Sequence, residues 1–105
     1  MSKNINLERA GKNTLSSTAC ALLLPLALLA NKNNEIDRKQ FTTTLIDWIK
    51  DPRTWNKYWK ELEENNVLAR LDKGKWMVCP HVCYSDGVSH NDLITKWNEV
   101  CDATN

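Results

Sequence analysis

Between residues 14 and 30 the chain is apolar on almost every side of a helix. An element with that pattern belongs in an interior, so the segment is expected to form the buried central helix. Pro25 lies inside it, where it removes one backbone bond and crowds the preceding turn, which predicts a kink or a break near Leu24. Asn31, Lys32, Asn33 and Asn34 then make a polar turn, and Ile36 follows as a short strand residue. Asp37 and Gln40 have capping-box spacing, with Phe41, Leu45, Trp48 and Ile49 at helical intervals behind them. A second helix over about 38–49 is expected, although Thr42, Thr43 and Thr44 are poor helix formers.

The next segment is the most strongly patterned. Asp51 can cap backbone amides while Pro52 occupies the first helical position. Trp55, Tyr58, Trp59 and Leu62 recur at i, i+3, i+4 and i+7, a single apolar stripe that predicts a third helix running to about residue 64. Arg53, Asn56, Lys57 and Lys60 fall on its opposite face, and Asn65-Asn66 ends it. Residues 67–71 suit a strand, Asp72-Lys73-Gly74-Lys75 a hairpin turn, and residues 76–79 the returning strand. After Pro80 the chain reads as irregular until Ser89 or Asn91 caps a last helix striped by Leu93, Ile94, Trp97, Val100 and Cys101.

This order predicts a mainly α fold with a small β-hairpin wing: a winged helix-turn-helix, a small α/β domain over residues 14–105 behind a basic arm, 1–13. A chain of 105 residues with 42% apolar content supports one such core, and five tryptophans bury much area for its size. Net charge is only +1, which excludes a uniformly basic coat. Its distribution matters more, at +3 over residues 1–33, −1 over 34–66, +2 over 67–78 and −3 over 79–105.

Two compositional signals compete with a cytoplasmic protein. Lys3, Arg9 and Lys12 precede the apolar run 19–30, as in a signal peptide, but Glu8 interrupts the basic residues and polar residues 13–18 delay the run. Twelve apolar residues also fall short of the roughly 20 needed to span a bilayer, so no membrane association is expected. Cys20, Cys79, Cys83 and Cys101 lack the density of a disulfide framework and read as thiols of a cytoplasmic protein.

Each candidate site has an ordinary explanation beside it. Arg53, Thr54, Asn56, Lys57 and Lys60 lie where a recognition helix enters the major groove, able to meet phosphates and base edges. The ordinary alternative is a solvated helix face, balanced by Glu61, Glu63 and Glu64. Arg70, Lys73 and Lys75 would let a wing track the backbone, or merely protect a hairpin edge. Cys79, His81 and Cys83 could project to one side of an extended segment, with His90 and Cys101 beyond. Paired zinc knuckles are absent, and small apolar cysteines in a core explain the spacing better, so no metal and no cofactor is expected. Without a phosphate loop, an HExxH or a serine elbow, no enzyme is expected either.

Several of these residues resemble a known family. Thr54-Trp55 leading into Trp59-x-x-Leu62, then residues 63–68, then Gly74-Lys75-Trp76-Met77-Val78-Cys79-Pro80, are similar to the RepL-type replication proteins of small plasmids and related MarR-like phage proteins. Trp76 stands in that family's aromatic place and Pro80 in its proline place. Gly87 and the final helix with Leu93 and Trp97 also match. Cys79 departs from the family's asparagine, and Asp51-Pro52-Arg53 from its serine-rich helix entry. The resemblance implies a DNA-binding winged helix, often dimeric, that reads with its third helix.

The leading expectation is therefore a double-stranded DNA binder, a replication accessory protein or transcriptional regulator. The alternative is a winged helix turned protein-interaction module, such as a phage inhibitor of a host factor; a zinc-dependent adaptor is a weaker third reading. A host protein and a second copy of the chain are the other candidate partners.

Overall fold

Four aromatic rings meet at the centre of the molecule. Phe41 lies 5.7 Å from both Trp55 and Trp59, and Trp59 lies 5.7 Å from Trp76, in edge-on or tilted geometries. Such offset contacts suit the ring quadrupoles, and they join three separate segments into one core. In this computed structural model residues 3–5, 15–85 and 87–104 are described, residues 3–5 and 103–104 by backbone alone.

The first helix, α1 (Ser17–Leu29), starts where the Ser16 hydroxyl accepts from the Ala19 N–H. It continues through Pro25 without breaking. Ala19, Leu22, Leu23, Leu26 and Ala27 are buried, whereas Leu24 and Leu28 are 55% and 63% exposed. The expectation of a helix buried on every side is therefore corrected: the protein covers one face of α1 and leaves an apolar stripe on the other.

Strand β2 (Glu35–Asp37) leads into α2 (Arg38–Thr44), capped by the Asp37 carboxylate accepting from Gln40 N–H. This helix stops five residues before the expected 49. The Thr42 and Thr44 hydroxyls donate back to the carbonyls of Lys39 and Gln40, a habit that weakens helices. Leu45 caps the end. Trp48, expected on the core face, sits in the following turn and is 49% exposed, while Ile49 is buried.

Helix α3 (Pro52–Glu64) begins at Asp51, whose carboxylate accepts from Arg53 N–H. Trp55, Trp59 and Leu62 are buried and Tyr58 packs half-buried against the core, as the stripe predicts. Trp55 Nε1 donates to the Ile49 carbonyl at 2.7 Å, which satisfies a buried donor and pins the loop before the helix. The hairpin is β3 (Leu68–Asp72) and β4 (Lys75–Val78), with Gly74 at φ +74° in its turn and a register shift between Arg70 and Asp72. Strand β2 pairs antiparallel with β4, Ile36 opposite Trp76, giving a three-stranded sheet in the order β2-β4-β3.

The segment after Pro80, expected to be irregular, contains a further strand. This β5 (Cys83–Ser85) pairs antiparallel with β1 (Lys3–Ile5). The rest of the expected basic arm, including Arg9 and Lys12, lies outside the described residues. Ser89 rather than Asn91 caps α4 (His90–Thr104), accepting from Asp92 N–H, and Leu93 and Trp97 are its buried residues. The described residues thus form a small mixed α/β domain with four helices, a three-stranded antiparallel sheet and the β1–β5 pair. Among the described residues no helix is long and apolar enough to cross a membrane.

One buried polar residue ties these layers together. Asn34 is fully buried at φ +60°, and its Nδ2 donates to the carbonyls of Val78 at 3.0 Å and Cys83 at 2.7 Å. It thereby links the turn before β2 to β4 and β5. Asn34→Ala is expected to destabilise the fold by about 2–4 kcal/mol, from the loss of two buried hydrogen bonds and a strained backbone. Asn34→Gly should recover only the backbone part, as read from the urea midpoint at unchanged slope.

Candidate nucleic-acid interface

Burial of Trp55, Trp59 and Leu62 dictates what the other side of α3 presents. Arg53, Lys57 and Lys60, at helical spacing, form its outward ridge, and all three are exposed. Thr54 lies half-buried on one flank and Asn56 exposed on the other. The ridge cations are lightly held. Arg53 Nε is 3.7 Å from the Asp51 carboxylate, and Lys60 Nζ is 3.9 Å from Glu64, with both pairs in solvent. Exposed pairs of this kind contribute at most about 1 kcal/mol, so a phosphate could displace either carboxylate. Lys57 Nζ lies 5.7 Å from the Tyr58 ring, which steadies the ammonium without neutralising it.

The acidic residues beyond the ridge divide by role. Glu61, on the Thr54 flank, accepts from both the backbone N–H and the hydroxyl of Ser16. It therefore ties α3 to the start of α1 through two neutral donors while keeping its negative charge. Glu64 terminates the ridge. Lys57 is the ridge cation set against a ring, and the outward positive charge is concentrated in the first turns of the helix.

Arg38 connects the helix to the hairpin, and the sequence pattern did not single it out. Its backbone N–H donates to the Gly74 carbonyl at 2.9 Å, which joins the start of α2 to the hairpin turn. Its guanidinium lies 5.2 Å over the Trp59 ring and donates to Asn56 Oδ1. Partial burial pulls the Arg38 pKa below its ordinary value while Glu63 pulls it back up. A cation stacked on an aromatic face and paired with an amide is held in one place. An arginine at the first position of a short helix gave no hint of this role.

The hairpin cations fall into two groups. Lys73 and Lys75 are exposed around the turn, next to the Arg38 tie. Arg70 is exposed on β3 but lines a cleft of about 370 Å³ with Glu63, Trp97 and Cys101, away from the tip. A second cleft, of about 350 Å³, lies between the end of α1, β2 and α2, with Lys75 beside Glu35 and Asp37 at its rim.

The cysteine and histidine residues sit elsewhere. Cys79 and Cys83 are buried in the core, and Cys101 lies half-buried on α4. Burial and then Asp102 push the Cys101 thiol up, away from the thiolate form that metals and electrophiles need. His90 Nε2 lies 3.0 Å from the Pro80 carbonyl, and its ring stacks on Tyr84 at 4.2 Å, so it fastens the start of α4 to β5. Among the described residues no group of three or more His, Cys, Asp or Glu side chains could hold a metal ion.

No family model, no curated protein and no solved structure matches this sequence.

Proposed function

We propose that this protein is a winged helix-turn-helix that binds double-stranded DNA, with α3 in the major groove and the β3–β4 hairpin as the wing. The observation that carries this reading is the outward ridge of Arg53, Lys57 and Lys60, opposite a buried tryptophan stripe and coupled through Arg38 to a turn bearing Lys73 and Lys75. The helix–strand–helix–helix–strand–strand order, with β2 set against β4, supports the same reading. So does the resemblance to RepL-type proteins, which favours a cytoplasmic replication accessory or regulatory role without catalysis.

Affinity should depend steeply on salt. If those five cations each neutralise a phosphate, raising salt from about 50 to about 200 mM should weaken duplex binding a few hundred-fold. Fluorescence anisotropy with a labelled duplex reads this directly; a flat response would mean that phosphate contacts do not drive association.

A second reading has its own observation. Leu24, Leu28, Leu29, Ile46 and Trp48 are large, apolar and 46–63% exposed. Exposed apolar side chains of this size favour a protein-interaction module or a second copy of the chain as partner. The module alone predicts a co-purifying protein and no mobility shift with any duplex, whereas self-association is compatible with DNA binding.

A further inference from the structure

The geometry of Asn56 points to a base preference. An arginine carries five N–H donors and no acceptor, so the Asn56 atom that faces Arg38 Nη2 must be its carbonyl oxygen. Three further contacts favour that position of Arg38. Its backbone is tied to Gly74, its guanidinium lies over Trp59, and Glu63 attracts it from two turns along α3. The side chain of Asn56 is exposed, so the group it leaves available on the proposed reading face is the Nδ2 amino group.

An asparagine that reads adenine uses both ends of its amide: the oxygen accepts from the N6 amino group while the nitrogen donates to N7. Here the oxygen is engaged by a cation. It retains a second lone pair, but a guanidinium beside it makes the local potential positive and opposes an approaching amino group. Asn56 Nδ2 and the neighbouring guanidinium together form a surface of donors. In the major groove a G·C pair offers two adjacent acceptors, guanine N7 and O6, whereas an A·T pair interposes the N6 donor between its acceptors.

We propose that the Arg38–Asn56 pair makes Asn56 a donor-only reader, selecting a G·C pair over an A·T pair at the position it meets. Arg38 is the positioning residue and Asn56 the specificity-determining one. The inference rests on the DNA-reading role of α3 proposed above.

The test is selection of duplexes from a randomised pool by the full chain, followed by anisotropy with single-position variants of the recovered site. The position assigned to Asn56 is the one whose preference flattens in Asn56→Ala. Wild-type protein is expected to favour G·C there by about tenfold. Arg38→Met keeps an unbranched apolar stem across Trp59 but frees the Asn56 oxygen, so A·T should rise to near parity at that position alone. A thermal melt run alongside reports whether Arg38→Met is folded. Asn56→Ala changes an exposed side chain and carries the test by itself if Arg38→Met is not. An A·T preference at the Asn56-dependent position, or no position that depends on Asn56, overturns this inference while leaving DNA binding intact. Failure to retain any duplex at low salt overturns the DNA reading, and this inference with it.

Discussion

Truncating Trp59 to alanine is expected to cost about 3–5 kcal/mol, the usual range for a fully buried large aromatic. Trp59 is 2% exposed and touches Phe41 and Trp76, while Arg38 lies across its ring. A domain of this size has about 5–15 kcal/mol in total, so the variant should lose up to half or more of its stability. Its melting temperature should fall by roughly 15–30 °C. The comparison that makes this informative is Trp48→Ala. The same residue type is removed, but Trp48 is 49% exposed in the turn after α2, and a change of about 0.5 kcal/mol or less is expected for a surface site. Paired thermal melts by far-ultraviolet circular dichroism decide it. If Trp48→Ala proved the more damaging, the core described above would be assembled around the wrong tryptophan.

That pair of tryptophans also marks where the sequence was readable and where it was not. Trp55, Trp59 and Leu62 belong to a sustained helical stripe with a strong start at Asp51-Pro52, so local pattern and tertiary packing agreed. Trp48 had the right spacing behind Phe41 and Leu45, but the three threonines ended the helix first. Periodicity cannot see a helix stop that depends on hydroxyls bonding backward. Ile36 and the β3–β4 hairpin were legible because each pairs with a near or strongly patterned partner. The β1–β5 pairing was not, since each strand is three residues long and its partner lies some eighty residues away. Short strands carry too little alternation to announce themselves.

The candidate site divides along the same line. The cationic ridge of α3 follows directly from the buried stripe, because fixing one face of a helix fixes the other. Arg38, Glu61 and Asn34 were invisible for a common reason. Each acts through a partner distant in the chain: Arg38 through Asn56 and Gly74, Glu61 through Ser16, and Asn34 through Val78 and Cys83. In sequence Glu61 looked like one of three acidic residues that weaken the case for DNA. In the fold its carboxylate also has a structural task, accepting from Ser16 at the start of α1.

Reversing Lys57 and Lys60 together to glutamate is expected to weaken duplex binding by about 100-fold or more. Two phosphate contacts would become two repulsions, each worth about a factor of ten or more at low salt. Each substitution changes the charge by two, so the formal net charge of the chain falls from +1 to −3. The salt slope should also drop by about 2, since two fewer counterions are released. Folding should barely respond. Both side chains are exposed, and the Lys60–Glu64 pair that is lost contributes only about 0.3–0.5 kcal/mol. Lys57→Gln with Lys60→Gln removes the attraction without adding repulsion and should give the smaller loss, near tenfold. Lys96→Glu, an exposed change on α4 that lowers the net charge by two, controls for a charge reversal away from α3 and should leave affinity within a few-fold. If the double reversal left binding and slope unchanged, α3 would not be the element that meets DNA. The exposed apolar side chains Leu24 and Leu28 on α1 and Trp48 after α2 would then be the places to look for a protein partner.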